Sequence, residues 1–162
     1  MAKEKKTEEK VVIKNPKTSK KEYVFAVGRR KGAVARVRLY VNKKEDVVWG
    51  ESTIKKGAML VNKKPVDVYF SSQVEKNLYT EPFRLTNTEG VFATTIHVSG
   101  GGKMGQVGAV VLGLSRALII HNPEFRAVLK KKGLLVRDAR VRERRKVGTG
   151  GKARRKKQSP KR

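Results

Sequence analysis

The chain has 162 residues, 40 of them Lys or Arg against 14 Asp or Glu, for a formal net charge of +26 at pH 7. A body with that charge repels itself unless it meets a dense polyanion. Nucleic acid is the commonest one, and an anionic membrane surface is the weaker rival because no run of roughly 18 consecutive apolar residues occurs. There is no cysteine, which removes disulfides, thiolate zinc sites and thiol catalysis, while an apolar fraction of 38% is enough for one modest core.

Residues 1–22 mix Lys with Glu4, Glu8 and Glu9, contain Asn15-Pro16 and lack the apolar core of a secretory signal. They read as a disordered or peripheral basic extension, and the protein is expected in the cytoplasm. Tyr23–Val27 and Ala33–Val41 then read as two strands around a basic loop, Gly28-Arg29-Arg30-Lys31-Gly32. In the second strand Ala33, Ala35, Val37, Leu39 and Val41 alternate with Arg36, Arg38 and Tyr40, so one face builds core and the other is basic.

Asn42–Lys56 reads as a polar excursion, Ala58–Asn62 as a strand, and Pro65 as the opening of a short helical stretch through Phe70 that Ser71–Leu78 continues. Val91–Val98 is rich in β-branched residues and reads as a further strand. Behind it, Gly100-Gly101-Gly102-Lys103-Met104-Gly105 leads into Val107, Val110, Val111, Leu114 and Leu118, an apolar stripe at helical spacing. Asn122-Pro123 should stop that helix and start another, with Asn122 as cap and Pro123 in its first position. Phe125, Val128 and Leu129 would be buried, and Lys130, Lys131 and Lys132 would run to a left-handed stop at Gly133.

Charge grows along the chain, from +4 over residues 1–22 to +8 over 23–129 and +14 over 130–162. The division expected is an extension at 1–22, a globular α+β RNA-binding body at 23–136 and an extended basic tail at 137–162. From Arg144 to Arg162 there are ten cations and no acid, too polar to fold alone, with a reach on the order of 65 Å at about 3.3–3.6 Å per residue.

Gly100, Gly102 and Gly105 match G-x-G-x-x-G between a strand and a helix. A dinucleotide site also needs an acidic residue about twenty positions on, at the end of a second parallel strand, and the only one nearby is Glu124, in the first turn of the second expected helix. The remaining readings are a helix start facing an RNA phosphate, with Lys103 adding charge, and a tight turn without ligand. His97 and His121 have no metal-ligand spacing, and the scattered carboxylates form no acid–base pair. The sequence therefore points to no enzyme, no metal and no cofactor.

Three ordered segments carry a resemblance. They are Gly28-Arg29-Arg30-Lys31 with Ala35-Arg36-Val37, then Gly100-Gly101-Gly102 with Gly105-Gln106 and Ser115-Arg116-Ala117-Leu118, then Leu135-Val136-Arg137-Asp138-Ala139-Arg140 leading to Glu143-Arg144-Arg145-Lys146-Val147-Gly148. Together with Gly151–Arg155 and the terminal Lys161-Arg162, over Tyr23 to Arg162, the chain resembles the small-subunit ribosomal protein nine family, in its bacterial or organellar form.

The resemblance implies a two-layer α+β sandwich, a four-stranded sheet with helices on one face, of the kind seen in the second domain of small-subunit ribosomal protein five. It also implies a structural role on ribosomal RNA in the head of the small subunit, beside neighbouring head proteins. The implied RNA contacts are Arg29, Arg30, Lys31, Arg36, Arg38, Lys103, Arg116, Arg137, Arg140, Arg142, Arg144, Arg145, Lys146, Lys152, Arg154, Arg155, Lys156 and Lys157, with Lys161 and Arg162 touching peptidyl-site transfer RNA. Two features depart from the family pattern: the excursion over 43–56 is long, and the end Ser159-Pro160-Lys161-Arg162 lacks the usual aromatic residue. A free-standing basic architectural protein of nucleic acid is the alternative, and a phosphate-binding enzyme a distant one.

Overall fold

The computed structural model describes residues 23–41, 47–49 and 52–141. Strand β1 (Tyr23–Arg30) turns through Lys31-Gly32 into β2 (Ala33–Tyr40), pairing antiparallel with Tyr23 opposite Tyr40 and Arg30 opposite Ala33. Lys31 takes a positive φ of 52°, which closes the hairpin in two residues. The basic loop expected over Gly28–Gly32 is therefore mostly strand: Gly28, Arg29 and Arg30 continue β1, and only Lys31 and Gly32 form the tip.

The expected excursion over 42–56 contains a hairpin of its own, β3 (Val47–Trp49) with β4 (Ser52–Ile54). After it come β5 (Met59–Val61) and the two-residue β6 (Lys64–Pro65), joined by Asn62 and Lys63, both at positive φ. Helix α1 (Val66–Tyr69) follows at once, and α2 (Gln73–Leu85) is a separate element rather than its continuation. The Ser72 backbone N–H donates to Glu75 Oε2 at 3.4 Å, so the chain restarts a helix there and runs seven residues past Leu78.

Strand β7 (Ala93–Ser99) lies antiparallel to β2 and parallel to β5. The sheet order is β1-β2-β7-β5-β6, five strands instead of four, the fifth being the two-residue β6. Helix α3 (Lys103–His121) then crosses β1 and β2, and α4 (Phe125–Lys131) packs beside it. Asn122 does not cap α4 as expected. Its Oδ1 accepts the Glu124 N–H at 3.0 Å and shapes a turn containing Pro123, so the helix begins at Phe125, two residues later than expected. Gly133 does end α4, at φ 74°.

By length and composition α3 is apolar enough to cross a membrane. In this fold its Val107, Val110, Leu114 and Leu118 are fully buried against Ala35, Val37, Leu39 and Ile96 of the sheet. The approach is closest at Gly28, where a Cβ would lie 1.9 Å from the Ala109 carbonyl oxygen and 2.5 Å from the Gly113 nitrogen. Gly28 is thus a packing residue of the α3–β1 seam. Over the opposite face of the sheet, the β3–β4 hairpin packs Ile54 and Trp49 on Tyr40 and Ala93. The two-layer sandwich implied by the resemblance has a partial third cover, and Tyr40, on the face expected to be open, is buried.

Candidate nucleic-acid interface

What the described residues leave uncovered on that face is a strip of β1, β2 and β7. Strand pairing sets Phe25 opposite Arg38, Val27 opposite Arg36, and Arg36 opposite His97. Arg36, Arg38 and His97 are exposed, and so is Phe25, at 44%. None of the three strands carries an acidic residue. The Arg38 guanidinium sits 5.2 Å from the Tyr23 ring centre, and the Tyr23 ring is tilted against Tyr40 at 5.6 Å. A row of aromatic and guanidinium surfaces on a rigid sheet can stack unpaired bases and fork onto phosphate oxygens.

Among the described residues, the other candidate cations separate into exposed and engaged groups. Arg29 is exposed near the end of the edge strand, Lys31 is exposed at the hairpin tip, and Arg137 is exposed beyond α4. Arg30 lies on the helix side, where its Nη2 donates to Asp138 Oδ2 at 2.9 Å across 108 residues of sequence. Gly108 makes room for it, since a Cβ there would stand 2.3 Å from Arg30 Cδ. Arg140 grips the same carboxylate, through Nε to Oδ1 at 3.0 Å and Nη2 to Oδ2 at 2.8 Å, and its backbone N–H adds a bond at 3.1 Å.

These bonds, those of Arg140 foremost and that of Arg30 last, hold the Asp138 carboxyl well below the usual carboxylate range. The Arg140 guanidinium is shifted upward by the same partner. Arg116 donates from Nη1 to the Val27 carbonyl at 2.8 Å on the outer edge of β1. Asp138 as a clasp and Phe25 as an exposed ring were not singled out by sequence reasoning. The one visible signal for Phe25 is its place between Val24 and Ala26 in an alternating strand.

The glycine turn has a structural explanation. Gly100 and Gly101 lie at φ 70° and 65°, and a Cβ on either would meet the hairpin, at 2.5 Å from the Gly32 oxygen and 2.9 Å from the Ala33 Cβ. Gln106 Nε2 donates to the Gly100 carbonyl at 3.1 Å, Tyr69 Oη to Gln106 Oε1 at 3.0 Å, and Lys103 Nζ to the Tyr69 carbonyl at 3.0 Å. Among the described residues no strand follows α3, so the βαβ unit of a dinucleotide fold is not formed. Those residues contain no group of three or more potential metal ligands, and His121 packs edge-on against Phe92 at 5.0 Å. Arg142, Arg144, Arg145, Lys146, Lys152, Arg154, Arg155, Lys156, Lys157, Lys161 and Arg162 lie outside the described residues.

Comparison with known proteins decides among the rivals. The family model described as ribosomal protein S9/S16 matches residues 28–162. The chain belongs to the ribosomal protein S9/S16 family. It is 46% identical over 131 residues to the small ribosomal subunit protein uS9 of Maridesulfovibrio salexigens, which covers 81% of this chain and 91% of that one. It is 42% identical over 158 residues to the uS9 protein of Rickettsia canadensis, covering 96% and 89%. With the uS9 protein of Syntrophobacter fumaroxidans the figures are 41% over 124 residues, 76% and 85%. The family match begins at Gly28 of the α3–β1 seam and includes the Asp138 clasp and the whole tail.

Proposed function

We propose that this chain is a structural constituent of the small ribosomal subunit in the cytoplasm and performs no catalysis of its own. Family membership supports the assignment, and the chemistry of the surface agrees with it. The observation that carries the RNA-binding mode is the open strip of the sheet, where Arg36 and Arg38 stand beside the exposed Phe25 with no acid on β1, β2 or β7. Such a strip suits folded RNA of the subunit head, phosphates meeting guanidinium groups and unpaired bases meeting rings.

The Arg30–Asp138–Arg140 clasp fixes where the chain leaves the body. From there the cations from Arg142 to Lys157 would thread between RNA strands, beside neighbouring head proteins, and Lys161 and Arg162 would reach the anticodon arm of peptidyl-site transfer RNA.

Filter binding of small-subunit ribosomal RNA tests the strip. Replacing Arg36 and Arg38 by Gln should weaken binding and lower the slope of log affinity against log salt by about 1.4–1.8 units, for two phosphates at about 0.7–0.9 each. An unchanged slope would remove the strip from the interface. Truncating Gln158–Arg162 should leave the protein in the subunit and weaken transfer RNA retention in the peptidyl site. Full retention with full occupancy of the truncated protein would confine the tail to assembly.

A further inference from the structure

Away from the strip, a groove of about 510 Å³ opens between the outer edge of β1 and the second half of α3. Its apolar lining includes Ile119, Ile120 and Leu135, and Ile120 is 61% exposed, so the groove presents an open apolar patch rather than one stray side chain. Arg116 and Arg126 also line it, with no acidic residue. Arg116 lies three and four positions before Ile119 and Ile120, on the same side of α3. Its bond to the Val27 carbonyl, at 2.8 Å, pins the guanidinium at the edge and, among the described residues, engages one of its five N–H groups. The Arg126 side chain has no hydrogen-bond or ion-pair partner among the described residues.

We propose that this groove receives one unstacked nucleotide of ribosomal RNA, its base against Ile119, Ile120 and Leu135 and its phosphate between Arg116 and Arg126. The inference rests on the RNA-binding reading above and adds a site to it. An apolar floor edged by two cations complements a flat ring that carries an anion at one side. The volume falls within the range of small-ligand sites, roughly 300–1,000 Å³, whereas a stable protein partner engages about 20–30 residues a side.

The test is a methyl NMR titration of the full chain with adenosine, guanosine, cytidine and uridine monophosphates. Ribose 5-phosphate and the acidic peptide acetyl-Asp-Leu-Asp-amide serve as controls. At least one nucleotide should saturate shifts at the Ile119, Ile120 and Leu135 methyls at millimolar concentration, with ribose 5-phosphate at least tenfold weaker. Arg126→Gln should weaken that nucleotide about threefold, and Ile120→Asp, at an exposed position, should abolish the shifts while other methyl signals stay in place.

Equal shifts from ribose 5-phosphate would show a phosphate site without a base and overturn the proposal. So would saturation by the peptide alone, which would mark the groove as a protein contact, and so would the absence of shifts. Filter binding of ribosomal RNA by the same wild-type sample separates the two levels. Salt-sensitive binding without groove shifts overturns this site alone, and no binding overturns the functional reading beneath it.

Discussion

Asp138 receives two guanidinium groups and a backbone N–H, and its carboxyl is held below its ordinary value near 3.9. The folded protein therefore takes up this proton less readily than the unfolded chain. The stability it contributes is full above about pH 4 and disappears as pH falls below that. The melting temperature of the wild type should drop more steeply below pH 4 than that of Asp138→Asn, and at neutral pH the variant should be cut faster by trypsin at Arg137 and Arg140. Parallel pH profiles would show that the carboxylate holds nothing. The same geometry ranks the arginines, because Arg30 is engaged on the helix side and Arg38 faces outward. In filter binding, Arg38→Gln should cost more RNA affinity than Arg30→Gln, and the reverse order would place RNA on the wrong side of the sheet. A sequence shows both as cations of one basic stretch; only the parity of the strand and a partner 108 residues away tell them apart.

Among the elements, α3 and the β2 strand were legible because a long apolar period survives in each. Helix α2 was legible only in its first half, to Leu78, since beyond it the buried Tyr79 and Phe83 are diluted by polar residues and Pro82 interrupts the pattern. The β3–β4 hairpin has three residues a strand, too few for alternation to show. Gly28 was read as a loop glycine because Arg29 and Arg30 follow it, whereas its reason is the backbone of α3, and that lies eighty residues further on. Gly28→Ala should accordingly destabilise the body by on the order of 3 kcal/mol, measured by urea unfolding, because the added methyl meets main chain that cannot rotate away. A loss under about 1 kcal/mol would mean that α3 can shift off the sheet at little cost.

At the scale of the whole molecule, charge alone suggests a division into extension, body and tail; on the sheet, alternation in one strand already showed Arg36 and Arg38 on one face, whereas the neighbours Phe25 and His97 needed the register of three strands. The last nineteen residues bring ten cations. Deleting 144–162 should leave the unfolding temperature of the body unchanged and flatten the salt dependence of RNA binding by about 4 units if half of those cations meet phosphate. These charges are proposed to serve one particular assembly and not nucleic acid at large. Sucrose-gradient sedimentation of a cell extract at moderate salt separates the two. The protein should migrate with the small ribosomal subunit and stay there as salt rises past the point where loosely held basic proteins come off. Recovery with bulk DNA, or at the top of the gradient while the subunit remains intact, would contradict it.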